Sequence, residues 1–241
     1  MKISVMIPVW NEEKRLASCI DSLLEYGSKN LDGNMEIIVC ADGCTDETVN
    51  IANSYARRYP NVKLAEWPDR LGKGGGILNG IKMVDGDVVV ITDVDLSASP
   101  EEIQKLVSPI NNGKADFVVG SRNLAGSTIT KKPPIHRIFL GRAFNFLFRM
   151  FFHADFHDTQ CGFKAIKTEI LVKLRDDLTI EGYAFDIDLI VKALRHGYRV
   201  VEVPIVWGYK TGSKVDSLSQ SYEMARSLLI VWLENLKRES K

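Results

Sequence analysis

Strand-like and helix-like stretches alternate over the first half of this chain. Apolar runs rich in β-branched residues occupy 3–9, 35–41, 62–65, 88–92 and 117–119, and helical patterns at 12–26, 46–59, 75–84 and 100–111 separate them. Parallel strands can be joined only by a connection long enough to hold a helix, so each pair is a crossover unit. The pattern predicts an α/β fold: a mostly parallel central sheet with helices on both faces. Ligands of such sheets sit beyond the carboxyl ends of the strands. At 241 residues the chain suits one sizeable domain and is short for two.

The loops after the strands hold the polar residues. The first run leads into Pro8, Val9, Trp10, Asn11, Glu12 and Glu13, the second into Asp42, Gly43, Cys44, Thr45 and Asp46, and the fourth into Asp93, Val94, Asp95, Leu96 and Ser97. Asp93 and Asp95 are hard carboxylates two residues apart at a strand end. They suit a Mg2+ or Mn2+ ion held against a pyrophosphate, with water or substrate oxygens filling its other positions. The competing role is helix capping ahead of Pro100, for which Ser97 or Ser99 is better suited. Asp42 precedes a glycine and a helix that Thr45 would cap; it can accept a hydrogen bond from a nucleobase N–H, or it simply forms an Asp-Gly turn. Gly72, Lys73, Gly74, Gly75 and Gly76 lead into the third helical stretch, where backbone N–H groups and Lys73 suit phosphate. That run matches neither the Walker nor the dinucleotide pattern.

Lysine plus arginine equals aspartate plus glutamate at 31 each, so charge arguments must be local. Between Phe117 and Ala154 there is no acidic residue, whereas Arg122, Lys131, Lys132, Arg137, Arg142 and Arg149 fall inside, interleaved with Phe139, Phe144, Phe146, Phe148, Phe151 and Phe152. Such a composition fits a helix lying in a membrane interface. A helix covering the core, an oligomer interface and an RNA surface are the alternatives. Each cation near an anionic leaflet adds about 1 kcal/mol, enough for reversible docking. No run reaches the roughly 20 apolar residues of a spanning helix. The opening MKISVMIPVW reads as a buried strand rather than an export signal, which makes a reducing cytoplasmic compartment the default. Cys40 and Cys44 lack the second pair that zinc needs. His153, Asp155, His157, Asp158 and Cys161 have metal-like spacing but read as structural.

In chain order, IPVWNEE, ADGCTDET, DVDLSASPEE, GSRN, DTQCGFKAI and EVPIVW followed by GSKV resemble the family-two glycosyltransferases of the polyprenyl-phosphate sugar synthase type. The later motifs are more similar to dolichyl-phosphate glucosyltransferases than to mannose synthases. The resemblance implies a GT-A domain over 1–215, including an interfacial segment at 131–153, and a C-terminal amphipathic helix over 216–241. It implies that Pro8, Glu12, Asp42 and Lys73 surround the nucleotide sugar, that Asp93 and Asp95 hold the divalent ion with Asp95 taking part in catalysis, and that Arg122 and Arg142 meet the lipid phosphate. Lys210 stands near a position where mannose synthases use an arginine on phosphates, and Ser97 where they carry a glutamine. Ala41 replaces the first residue of the usual DDGS loop.

The implied activity is inverting transfer of a hexose, from a UDP-glucose-type donor in preference to GDP-mannose, onto dolichyl or polyprenyl phosphate. It would take place peripherally on the cytoplasmic face of a membrane, without nucleic acid; a homo-oligomer or a membrane-protein partner stays open. Two rivals remain. A saccharide hydroxyl as acceptor would need a carboxylate base, with Asp186 or Asp188 in EGYAFDIDL as candidates. A catalytically silent domain that binds nucleotide sugar or membrane would not need the Asp93/Asp95 pair.

Overall fold

The computed structural model describes residues 1–182, 184–210 and 217–239, with side chains of the last segment described for 223–235. The turn that GSK suggests at 212–214 lies outside the described residues. The five apolar runs form β1 (Ile3–Val9), β2 (Met35–Asp42), β3 (Val62–Trp67), β4 (Val88–Ile91) and β5 (Phe117–Ser121). Between them lie α1 (Leu16–Asn30), α2 (Thr48–Arg58), α3 (Lys73–Gly80) and α4 (Ile103–Asn111). There follow β6 (Thr128–Lys131), α5 (Ile135–Phe152), β7 (Lys164–Lys167), α6 (Thr168–Leu174), α7 (Phe185–Arg195), β8 (Val200–Pro204), β9 (Val206–Gly208) and α8 (Ser217–Glu239).

The main sheet has the order β3-β2-β1-β4-β7-β5-β8, and β6 pairs with β9 apart from it. All main-sheet pairs are parallel except those of β7, which runs antiparallel between β4 and β5. This strand, the end of the DTQCGFKAI motif, was not expected as one. Four residues are too few for a periodic signal. The chain moves outward from β1 through β2 to β3 and then returns to β1's other side with β4, so the order reverses at β1 and opens a crevice there.

Strand alternation sorts the core into two layers. Val5, Ile7, Val88 and Val90 pack with Leu16, Ile20, Leu23 and Leu106 of α1 and α4. Met6, Ile38, Val89 and Ile91 pack with Ile77, Phe148, Leu171, Phe185 and Leu189 on the other face. Two helices start later than their sequence patterns suggest, because the residues ahead of them tie loops together. Thr45 does not cap α2: its N–H donates to Asn11 Oδ1 at 2.7 Å, and Asp46 Oδ1 accepts from the Thr48 N–H at 3.0 Å.

At the sheet end remote from the crevice, Glu36 is buried opposite Ser4 in the β1–β2 register. It accepts hydrogen bonds from the Ser4 hydroxyl (2.5 Å) and the Asp85 N–H (2.7 Å) and pairs with Lys63 at 2.9 Å. Burial alone would raise this carboxyl, but Ser4, the Asp85 amide and Lys63 outweigh it and hold it down at about 2. A depressed carboxyl contributes stability above its unfolded value, and that contribution is lost as pH falls toward the folded one. Glu36→Gln is therefore expected to cost roughly 3 kcal/mol at pH 7 and less than half of that at pH 3. Urea titrations of both proteins at the two pH values check this; an equal loss at both would show that charge is not the cause.

Candidate active site

The loops after β1, β2 and β4 converge on one cleft of about 550 Å³. Pro8, Glu12, Asp42, Lys73, Asp93, Asp95, Arg122 and Asp186 all line it. Residues up to 178 positions apart in sequence, Pro8 and Asp186, are thus on one wall-and-floor system, as strand-end geometry requires. Arg142 and Lys210 are exposed and are not among its lining residues.

Asp93 and Asp95 occupy the mouth of the crevice. Asp95 Oδ1 accepts the Ser97 N–H at 2.9 Å, which fixes the carboxylate's orientation and leaves its other oxygen out of that turn. Burial and the neighbouring Asp93 push the Asp95 carboxyl above the ordinary value. A pair of carboxylates held in this conflict is relieved by a cation, and two oxygens of this hardness fit Mg2+ or Mn2+. Among the described residues no third histidine, cysteine or acidic group joins them. Gly162 lies against Asp93: a Cβ there would fall 2.7 Å from Asp93 Cγ and 2.8 Å from Oδ1, inside van der Waals contact.

Below the pair runs a chain of alternating charges. Lys73 Nζ is 3.2 Å from Asp93 Oδ1 and 3.3 Å from Asp186 Oδ2, and Lys164 Nζ is 2.9 Å from Asp186 Oδ1. Asp186 is 4% exposed and Lys164 is fully buried. Burial opposes ionisation of Asp186, but Lys164 and Lys73 outweigh it and hold the carboxyl below its ordinary range. A carboxylate so held is a weak base. Asp188 is buried elsewhere, accepting the N–H groups of Thr179 (2.7 Å) and Ile180 (3.1 Å).

The glycine run does not present free amides to a phosphate. All of it but the N-cap Gly72 lies inside α3 rather than ahead of it, and the Gly74 and Gly75 N–H groups already donate to the Glu181 carbonyl at 2.7 and 3.1 Å. Its glycines serve packing: a Cβ on Gly74 would lie 2.7 Å from both the Ile180 carbonyl oxygen and Phe185 Cβ. Asp42 accepts the N–H groups of Leu71 (2.5 Å) and Gly72 (2.9 Å), so it pins the loop leading into α3. That loop carries Arg70, whose guanidinium lies 3.6 Å above the Trp10 ring. Both residues line the cleft. Sequence reasoning assigned a role to neither, although both stand in loops that follow strands. Glu12, also on the wall, is gripped by Arg15 through two bonds of 2.7 Å.

Two of the six cations in the acid-free stretch find acidic partners just outside it. Asp158 takes Arg122 in a two-point clamp, Nε to Oδ2 at 2.6 Å and a terminal nitrogen to Oδ1 at 2.7 Å, and Asp155 pairs with Arg149 at 2.6 Å. Glu202 in turn accepts the N–H groups of His157 and Asp158 at 2.7 and 2.8 Å. These partners account for His157, Asp158 and Asp155 without a metal. Burial pushes the thiols of Cys40 and Cys161 up to about 12 and about 11, so neither is a reactive thiolate.

The far wall is apolar. Leu140, Gly141, Ala143, Phe144 and Leu147 of α5 meet Met224 and Ala225 of α8 along it, and Arg137 is the cation α5 contributes. Helix α5 divides its aromatics: Phe144 and Phe148 are buried and Phe151 stacks on Trp232 of α8 at 5.0 Å, whereas Ile135, Phe139 and Phe146 are 85%, 72% and 67% exposed. Helix α8 is divided likewise, with Leu228 and Val231 buried and Leu229 and Leu233 exposed. No helix among the described residues is long and apolar enough to cross a membrane.

A doubly wound sheet with an Asp-x-Asp pair at its switch point is an arrangement found in GT-A glycosyltransferases. The signature described as Glycosyl transferase family 2 matches residues 4–175, and the chain belongs to that family. It is 33% identical over 233 residues to the glycosyltransferase AglD of Haloferax volcanii, a match covering 96% of this chain and 37% of AglD, so it spans little more than a third of that relative. It is 29% identical over 237 residues to a dolichyl-phosphate beta-glucosyltransferase of Dictyostelium discoideum, covering 94% and 72%. Among solved structures, glucosyl-3-phosphoglycerate synthase of Mycobacterium tuberculosis, in complex with Mn2+, uridine diphosphate and phosphoglyceric acid, superposes with a TM-score of 0.71 at 23% identity over 97% of this chain and 78% of that one. This last likeness speaks for the fold.

Proposed function

We propose that the protein transfers glucose, from a UDP-glucose-type donor and with inversion, onto dolichyl or another polyprenyl phosphate while resting on a membrane surface. The observation that carries this reading is the two-sided cleft. A charged floor of Asp93, Asp95, Lys73 and Arg122 faces an apolar wall of α5 and α8, which suits a donor that is a nucleoside diphosphate and an acceptor that is a phosphate on a hydrocarbon. The names of the dolichyl-phosphate beta-glucosyltransferase relatives support it.

Asp93 and Asp95 would hold a divalent cation, Mg2+ or Mn2+, which when bound neutralises the leaving diphosphate. Asp42 sets the loop bearing Arg70, and Arg70 and Trp10 flank the nucleotide end of the cleft. Arg122, oriented by Asp158, and Arg137 would meet the acceptor phosphate; Arg137 takes the place first given to Arg142, which faces away from the cleft lining. A monoalkyl phosphate is mostly dianionic at neutral pH, since its second pKa is near ~6. It attacks the anomeric carbon without losing a proton, so no general base is required. The saccharide-hydroxyl alternative needs one, and the lysine-bound Asp186 and the remote Asp188 suit that task poorly. Incubation with radiolabelled UDP-glucose and GDP-mannose, each with polyprenyl phosphate or a free saccharide, tests the assignment. Label in the lipid fraction from UDP-glucose is expected; label only in saccharide would overturn it.

The exposed side of α5 supports reversible docking on the cytoplasmic leaflet of a membrane. Ile135, Phe139, Arg142, Phe146 and Met150 recur at helical spacing on it, with exposed Lys131 and Lys132 just ahead. The triple variant Lys131→Gln/Lys132→Gln/Arg142→Gln is expected to lower partitioning onto phosphatidylglycerol-containing vesicles by at least about tenfold at low salt, because each cation contributes on the order of 1 kcal/mol there. Wild-type binding should fall as salt rises. Co-sedimentation of the variant equal to wild type at every ionic strength would refute the electrostatic part of this reading.

A further inference from the structure

The segment running into β7 approaches the cleft in steps of two residues. Asp158 clamps Arg122, Gln160 lines the cleft, Gly162 leaves room for Asp93, and Lys164 reaches Asp186. One short stretch thus supports four parts of the site at once. Lys164 does not line the cleft itself but touches Asp186, which does. Its side chain is fully buried, its ammonium touches the Cys161 carbonyl and Asp186, and it is a long cation spent where a leucine would pack without desolvation cost.

We propose that Lys164 is a positioning residue of the donor site: it holds Asp186, Asp186 holds Lys73, and Lys73 is thereby kept against Asp93 at the diphosphate end of the cleft. The two-sided grip matters. Asp186 lies between two ammonium groups, one per oxygen, and Lys73 lies between two carboxylates at nearly equal distances, 3.2 and 3.3 Å. Removing Lys164 leaves Asp186 with Lys73 as its remaining cation, which draws Lys73 away from Asp93. Removing Lys164 and the Asp186 charge together restores neutrality and leaves Lys73 to Asp93.

This inference rests on the donor assignment above but not on the acceptor. The probe is therefore uridine diphosphate with Mn2+, titrated calorimetrically without acceptor. Lys164→Met is expected to weaken uridine diphosphate binding at least tenfold and to raise the donor KM to match, with the acceptor KM within twofold of wild type. The double variant Lys164→Met/Asp186→Asn should bind uridine diphosphate at least about threefold more tightly than Lys164→Met, because part of the cost lies in one unpaired buried charge rather than in lost shape. Should Lys164→Met fail to fold, Lys164→Gln, which keeps a hydrogen bond but no charge, is judged by the same two measurements. A single variant that binds like wild type, or a double variant no better than the single, would overturn the role of Lys164. A wild-type chain that binds no nucleoside diphosphate would instead overturn the donor assignment and this inference with it.

Discussion

Asp95→Asn is expected to lose turnover by about 10³-fold or more while the protein folds as well as before, because on the proposed reading a charge that would hold the divalent ion at the diphosphate is removed and nothing structural is. The local bond survives the change: Asn keeps an Oδ1 that can accept the Ser97 N–H, now at 2.9 Å from the carboxylate. The charge itself is a burden on the fold, since burial and Asp93 both disfavour it. Its loss should leave the melting temperature equal or higher, the pattern of a residue retained for function at the expense of stability. Initial rates with Mg2+ and with Mn2+, alongside thermal unfolding, separate the two effects. A variant with a tenth of wild-type turnover, or a wild type fully active in excess chelator, would remove Asp95 from the reaction.

Gly162→Ala is expected to be damaging as well, though less so and without altering a charged group. The added methyl meets the Asp93 carboxylate, and that side chain is half exposed, so it can swing aside rather than force the backbone apart. The fold should therefore persist while the carboxylate pair loses its geometry. Displacing a ligand's support commonly costs 10–100-fold in metal affinity, and an effect of roughly that size is anticipated here. Raised Mn2+ should then restore part of the lost turnover, which it cannot do for Asp95→Asn. Titration of activity against Mn2+ reads the difference. Unchanged metal dependence in a folded Gly162→Ala would show that Asp93 tolerates the contact and that the glycine serves something else.

Much of this site could be seen in the sequence because it depends on strand ends. Once alternating runs give a parallel sheet, Asp42, Asp93 and Asp95 must emerge on the same edge, whatever their neighbours. The segments after residue 121 carry no such constraint, and there, as in the glycine run before α3, local patterns misled. The glycine run at 72–76 resembled a phosphate cradle because sequence shows flexible backbone but not what fills the space beside it; Ile180, Glu181, Gly182 and Phe185, over a hundred positions away, pack there. The cation count from 117 to 154 missed Asp155 and Asp158, which lie just outside that window and neutralise Arg149 and Arg122. The arginine of α5 that enters the cleft is Arg137 rather than Arg142, a matter of helix rotation set by Phe144 and Phe148 seeking the core.

By itself the sequence determined the sheet, its ligand edge, the carboxylate pair and the family, because hydrophobic period and ordered motifs are local properties that survive without coordinates. Only the tertiary structure decided which charges meet. Lys73, Asp93, Lys164 and Asp186 come from four different elements and loops, and their alternation of sign exists only in space. The energy of a buried ion pair depends on distance and on the exclusion of water, neither of which is written along a chain.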